Sequence, residues 1–365
     1  MNHIELLNSV LNYAAFKWYP DIHINSGEKI KIRNKSWDIE SLESISIWDK
    51  NVLIPVLSKH DVEKIIIWIA WHIWNTKFQN DMELDTSYSY DNSDRYRVNC
   101  YMDTDWYSIA MRRIPNQIPT LEELHLWEQI EKMCNNSKWL ILVTWPTWSG
   151  KSTNMAAMIN YINNNYRKHI ITIEDPVEFA IKSHKSLVNQ REIWNHTKWY
   201  ANAIRASLRE DPDIIMIWEM RDPETIKAAI TLAETWHLVI STLHTNDSVQ
   251  TVDRIVDVFP GPQQKQIRMQ LAMSLIWILS QRLVTRSDKE WRIAAREILI
   301  ANDAVRNLII QWKTHQIYSV LEVWKKYWMI LMDKYLMALY HKKMISKITL
   351  MSYVRDKEGT EMMIN

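Results

Sequence analysis

The 365-residue chain carries 44 Lys and Arg against 43 Asp and Glu, a net charge of +1, so no overall field draws it to nucleic acid or anionic lipid. Its length predicts two domains, and its two cysteines, Cys100 and Cys134, exclude a cysteine-based zinc module and suit a reducing compartment as inert core residues. The longest apolar run, Ile65 to Trp74, is about half a membrane span and the N-terminus lacks a charged-then-apolar leader, which predicts a soluble cytoplasmic protein without a transmembrane segment.

In chain order, Ile22, Ile24, Ile30 and Ile32 alternate as in strands, Asp61 to Phe78 has helical spacing, and Ser87 to Tyr101 holds two β-rich segments. Residues 1–113 therefore predict a small α+β domain. Residues 114–120, IPNQIPT, have two prolines and no periodicity and are read as a linker. Residues 121–365 form the second domain, opening with a helix near Leu121 to Met133. Strands LILVT, HIITI at 169–173, DIIMI at 213–217 and HLVIST at 237–242 then alternate with helical stretches, the pattern of a mostly parallel sheet covered by helices. Beyond Gln263, Leu271, Leu275, Ile278 and Leu279 at three-to-four spacing predict a mainly helical end. Trp68, Trp71 and Trp74 also sit at helical spacing, as core residues do.

After LILVT, Trp145, Pro146, Thr147, Trp148, Ser149, Gly150, Lys151 and Ser152, followed by Thr153, fit the phosphate-loop pattern GxxxxGK[ST] over its eight positions, 145–152, at every one but the first. Such a loop needs a strand, a tight turn of converging N–H groups, and the positive end of a helix. Lys151 would then hold the β- and γ-phosphates of ATP, and the Ser152 hydroxyl would ligate Mg²⁺. An indole at Trp145 or Trp148 opposes this, because it competes with phosphate for space and resists left-handed backbone at roughly 1 kcal/mol or more.

The composition supplies a reason: 4 Gly and 20 Trp. A chain of this length ordinarily has about 26 glycines, so the two counts look exchanged. Either the protein is unusually aromatic, or a codon read as glycine in the source has been written as tryptophan. Misread glycines should fall at turns and phosphate loops, whereas authentic tryptophans should follow apolar periodicity.

Strand ends carry acids where a phosphate-loop ATPase requires them. ITIEDPVEF ends one apolar run with Glu174, Asp175 and Glu178, and DIIMIWEMRD ends another with Glu219, the candidate base and Mg²⁺ partner. His237 and His244 bracket the next strand as candidate reporters of the γ-phosphate.

Together these segments resemble the secretion-type ATPases, and among them the type IV pilus retraction branch. The matching blocks are TWPTWSGKST, ITIEDPVEF, SLVNQREI, AIRASLREDPDIIMIWEMRDPETI and AETWHLVISTLHTNDSVQTVDRIVDVFP. DIHI at Asp21 to Ile24, the stretch Arg95 to Tyr101 and AMRRIP at Ala110 to Pro115 resemble the family's PAS-like N-terminal domain. AVRNLI at Ala304 to Ile309 resembles the retraction motif, although the expected Arg-Glu continues here as Ile310 and Gln311. Trp145, Trp148, Trp194, Trp199, Trp218, Trp236, Trp277 and Trp291 all stand where the family has glycine.

The resemblance implies an N-terminal PAS-like α+β domain followed by an α/β RecA-like ATPase domain with C-terminal helices. It implies Lys151 and Ser152 on ATP, Glu178 near Mg²⁺, Glu219 as catalytic base with Mg²⁺ close by, and His237 and His244 in the site. Arg97 and Arg112 become candidate arginine fingers, with Arg113 a rival to Arg112; Arg205 and Arg209 are candidates for nucleotide or subunit contacts. The expected assembly is a homohexamer at the cytoplasmic face of the membrane, working on an inner-membrane pilus platform protein and not on nucleic acid. The alternatives are a pilus extension or type II secretion assembly ATPase, or a non-hydrolysing ring subunit if the phosphate-loop tryptophans are real.

Overall fold

The computed structural model describes residues 2–34, 38–47, 50–71, 78–90, 94–114, 117–124, 127–134, 136, 138–144, 151–288, 292–323 and 329–364. It divides into two units. One comprises Met1–Ile118 with Pro176–Ala180, the other Pro119–Asp175 with Ile181–Asn365.

The first unit runs α1 (His3–Lys17), β1 (Asp21–Asn25), β2 (Lys31–Arg33), β3 (Ile39–Ser41), β4 (Ser44–Ile47), β5 (Lys50–Leu53), α2 (Lys59–Ile69), the short α3 (Gln79–Asp81), β6 (Glu83–Ser89), β7 (Arg95–Asp103) and β8 (Trp106–Ile114). α1 starts with a capping box: the Asn2 side chain accepts from the Ile4 and Glu5 N–H groups, and the Asn2 N–H donates to Glu5. Six strands make an antiparallel sheet in the order β3-β2-β1-β8-β7-β6. Its core joins Leu7, Val10 and Leu11 of α1 to Val62, Ile65 and Ile66 of α2 and to the inward strand residues Ile22, Ile24, Val98 and Ile109. The helix expected to reach Phe78 stops at Ile69. Its buried stripe is Val62, Ile65, Ile66 and Ile69, which leaves Trp68 and Trp71 on the solvent side, 57% and 74% exposed, rather than in the core; Trp74 lies outside the described residues.

The second unit runs α4 (Trp127–Cys134), β9 (Trp139–Thr144), α5 (Lys151–Asn165), β10 (His169–Glu174), β11 (Leu187–Glu192), α6 (Tyr200–Ser207), β12 (Ile214–Ile217), α7 (Pro223–Glu234), β13 (Leu238–Leu243), α8 (Ser248–Asp257), α9 (Gly261–Ser274), β14 (Leu275–Thr285), β15 (Arg292–Ile300), α10 (Asp303–Ile310), α11 (Ile317–Val323), α12 (Met332–His341), α13 (Lys347–Tyr353) and α14 (Lys357–Ile364). The fold is α/β, with a seven-stranded sheet in the order β11-β10-β12-β13-β9-β14-β15. All neighbours are parallel except the β14–β15 pair. Parallel strands buried on both faces read as continuous apolar runs, and β9, β12 and β13 are buried along nearly their whole length.

The expectation of helix beyond Leu271 is corrected here. α9 ends at Ser274, and Leu275, Ile278 and Leu279 lie on β14, paired with β15 in a long hairpin. A short apolar run does not distinguish buried strand from helix by period.

Of the nine non-glycine residues with left-handed φ among the described residues, six are tryptophans: Trp18, Trp106, Trp139, Trp194, Trp236 and Trp312. Left-handed backbone is uncommon for any side-chain-bearing residue and a genuine outlier for a bulky one. Trp18 caps α1, and Trp236 and Trp312 fall just past the last turns of α7 and α10, the positions at which helices favour glycine. Trp199 and Trp277 reach glycine-tolerant places by another route, an N-cap with φ −146° and a β-bulge.

Candidate functional site

Because β9, β10, β12 and β13 run parallel, their carboxyl ends share one edge of the sheet, where Thr144 pairs with Leu243 and Ile173 with Ile217. Ligands of open α/β sheets bind at this edge. Thr144 precedes residues 145–150, which with the Lys151 side chain lie outside the described residues. α5 begins at Lys151, so Ser152 and Thr153, both half-buried, occupy its first turn, where free N–H groups and the helix dipole favour an anion.

Glu219 is aimed at this edge by its neighbours' backbone. The Trp218 N–H donates to the Ile173 carbonyl (2.9 Å), the Met220 N–H to the Thr242 carbonyl (3.1 Å), and the Thr242 hydroxyl to the Trp218 carbonyl. The chain beyond β12 is thereby strapped between β10 and β13, and the Glu219 carboxylate is only 8% exposed. Its Oε2 is 2.8 Å from Arg221 Nη2 and its Oε1 is 3.4 Å from His244 Nε2. The bond to Glu219 holds the Arg221 guanidinium above its ordinary value, against desolvation and with help from the charges of Glu219, Tyr200 and Asp175.

Glu174, buried at the tip of β10, accepts from the Thr172 hydroxyl (2.6 Å) and the Gln190 amide (3.0 Å). Asp175 follows, half-buried. The Tyr200 hydroxyl is pushed well above the ordinary tyrosine range, first by burial and then by the charge of Asp175, with Glu219 and Glu174 adding and Arg221 opposing. The structure thus gathers Glu219, His244, Arg221, Tyr200, Glu174 and Asp175. Sequence reasoning passed over Arg221 and Tyr200. Arg221 had a usable signal, since residues two apart in an extended segment point to the same side; Tyr200 had none.

His237 is not brought to this site. It precedes β13, with Nδ1 3.3 Å from the Leu232 carbonyl and 3.2 Å from the Thr235 hydroxyl at the end of α7. At roughly 3.3 Å per residue, the seven steps to His244 span about 23 Å. Glu178 lies in the 176–180 segment that groups with the first unit. Arg205 and Arg209 are exposed on α6 and just beyond it, and Arg205 pairs with Glu224.

In the first unit, Arg97 on β7 and Arg112 on β8 are direct cross-strand partners. Arg97 faces Asp85 at 3.7 Å, whereas Arg112 holds the buried Asp21 with two bonds, 2.7 and 3.2 Å, beside Arg33 at 3.3 Å. The rival Arg113 is largely buried, paired with Asp94 and stacked over Trp18 at 4.7 Å. Cys100 and Cys134 are both buried, and burial pushes their thiols far above the usual range, as inert core cysteines require.

Comparison with known proteins agrees with this geometry. A family model described as "Type II/IV secretion system protein" matches residues 4–324. The chain is 44% identical over 297 residues to a "Twitching motility protein" of Neisseria gonorrhoeae, covering 81% of this chain and 79% of that one. It is 38% identical over 341 residues to the "Type IV pilus retractation ATPase PilT" of Pseudomonas aeruginosa, covering 93% and 96%. Its fold superposes on the crystal structure of the pilus retraction motor PilT with bound ADP at a TM-score of 0.87 and 36% identity, covering 99% of both chains.

Proposed function

From the premise that this chain belongs to the type II/IV secretion system protein family, we propose that it is the ATP-hydrolysing motor of type IV pilus retraction. The observation that carries this reading is Glu219, a nearly buried carboxylate set between Arg221 and His244 at the strand edge where the 145–153 segment enters α5. ATP would lie on the first turn of α5, held by Lys151 and by the free N–H groups of that turn. Glu219 accepts a proton from the water that attacks the γ-phosphate in line, and Arg221 and His244 orient the carboxylate and the departing charge. Hydroxyl and carboxylate oxygens from Ser152 and Glu219 suit a hard cation, and Mg²⁺ there would neutralise charge on the phosphates.

The first unit serves as a PAS-like domain; the pairing of its first and last long strands, β1 with β8, in mid-sheet supports this. It offers Arg97 and Arg112 to a neighbouring nucleotide within a homohexamer, as arginine fingers whose charge persists at any working pH. The segment 114–120 links residues 1–113 to 121–365 and takes up the motion. The ring acts from the cytoplasmic face of the membrane on a platform protein; among the described residues no helix is long and apolar enough to cross a membrane.

The test uses the full chain with Trp145→Gly and Trp148→Gly. This protein is expected to bind and hydrolyse ATP, and adding Glu219→Gln is expected to keep ATP binding and lower turnover by about 10²–10⁴. Unchanged turnover would remove Glu219 from its role. In the source organism, deletion is expected to leave pili in place and abolish twitching; loss of the pili themselves would assign extension instead.

A further inference from the structure

Glu297 is an acid that the proposed chemistry does not use, and it is 1% exposed. It lies on β15 opposite Ser280 of β14. Ser280 is in turn paired with Thr144, and the two hydroxyls meet at 2.8 Å. Glu297 therefore belongs to the row of residues that ends where β9 passes into 145–150. Its two oxygens serve two different helices. Oε1 accepts the Ser248 N–H at 2.9 Å, and Oε2 accepts the Met332 N–H at 3.2 Å. Ser248 and Met332 are the first residues of α8 and α12, so the carboxylate satisfies one orphan donor of each and lies at the positive end of both. Burial pushes this carboxyl above its ordinary range, while the two N–H donors favour the charged form.

The two helices lead in different directions. α8 follows directly on His244 to Asp247, the segment that touches Glu219. α12 opens the C-terminal helices, whose entry is stitched to β15 by the Ile298–Ile330 bridge, with bonds of 2.9 and 3.1 Å. Asp333 of α12 also accepts from the Arg355 and Asp356 N–H groups, which draws the approach to α14 into the same assembly. A buried carboxylate is costly, and a glutamine of the same shape would offer a single acceptor oxygen while turning its NH₂ toward the other N–H. Both oxygens are needed only if both helices must be held at once.

We infer that Glu297 is a positioning residue that ties the His244–Ser248 segment to the C-terminal helices, so that a nucleotide-linked change at His244 is passed to α12. This rests on the nucleotide-site reading above. The test is hydrogen exchange by mass spectrometry on the full chain with Trp145→Gly and Trp148→Gly, with and without Mg²⁺ and a non-hydrolysable ATP analogue. The analogue is expected to slow exchange in both 244–250 and 331–336. With Glu297→Gln, the first response and the analogue's affinity persist, whereas the second is lost and exchange at 331–336 becomes roughly tenfold faster. Met332→Pro is the second variant: it deletes the N–H at a position where helices accept proline, after Leu331 at ψ 140°, which suits a residue before proline, and Met332→Leu, which keeps the N–H, controls for the loss of the buried Met332 side chain. Met332→Pro is expected to uncouple α12 in the same way. An α12 response that survives both variants, or a parent that responds at 244–250 alone, overturns the inference. Absence of analogue binding by the parent overturns the nucleotide reading and this inference with it.

Discussion

Trp236 follows α7 at φ 72° with 75% of its surface exposed, so replacing it with glycine removes backbone strain at little loss of burial. Left-handed backbone costs an L-residue roughly 1–2 kcal/mol, and glycine's greater unfolded-state freedom returns about 0.4–1 kcal/mol of that. Lys138 Nζ lies 3.8 Å from the ring centroid, a contact that adds about 0.5 kcal/mol at an exposed site. Glycine is therefore expected to gain about 0.5 kcal/mol. The same balance holds at Trp194, with φ 71°, 39% exposed and Trp199 against its ring, whereas Trp139 and Trp312, at φ 97° and 59°, are half-buried, Trp312 against the core, and would lose burial as well as strain. The two-site variant, Trp194→Gly with Trp236→Gly, should gain about 1 kcal/mol, which raises Tm by roughly 2–4 °C in a domain of this size. Trp68→Gly is the control. Trp68 sits in right-handed α2 and donates from Nε1 to the Tyr88 hydroxyl at 3.2 Å, so glycine there should destabilise by about 1 kcal/mol. Calorimetric scans of the three proteins decide the matter: a two-site variant that melts at or below the parent, or a Trp68→Gly variant that rises with it, refutes the strain reasoning.

Intact mass of the protein purified from its source should fall short of the written sequence by whole multiples of the tryptophan-to-glycine difference; a mass matching twenty tryptophans would sink the codon reading. In urea titrations Arg113→Ala should cost about 3 kcal/mol, because it removes the cation of a largely buried ion pair with Asp94, and Arg112→Ala clearly less, because Asp21 keeps Arg33; the reverse order would contradict the assigned roles. Both thiols have folded values raised above the unfolded value of about 8.5, so the unfolded chain ionises first and stability should fall as pH rises past that point. A Cys100→Ala, Cys134→Ala double variant should show a shallower decline of Tm between about pH 8 and 9.5; an unchanged slope would mean that the thiols do not contribute.

The carboxyl edge of the parallel sheet was legible because its strands are short β-rich runs that end in polar residues. IIMI followed by Glu219 and LVISTL followed by His244 each place a polar group one or two residues past a buried strand, and parallel register then brings the ends together. The same logic separates the two histidines, since residues on opposite ends of one strand cannot meet. What periodicity could not give was the β14–β15 hairpin, where LIWIL fits helix or strand equally and only pairing with the Arg292–Ile300 run decides. Nor could it give Glu297 or Tyr200, whose roles come from tertiary neighbours rather than local pattern.

The tryptophans extend the same lesson to composition. Written side chains mislead where backbone geometry sets the residue, and at Trp18, Trp236 and Trp312 the left-handed turn that ends a helix is the property in demand. At Trp218 the constraint differs in kind: φ is not left-handed, but the residue is 9% exposed and strapped to β10 and β13 directly beside Glu219. There the demand comes from enclosure between neighbouring strands rather than from torsional strain. Backbone strain and close packing are independent demands, and both fall on positions written as tryptophan in a chain with 4 glycines. The same exchange would turn the 145–153 segment into GPTGSGKST, the loop on which the proposed role of Glu219 depends.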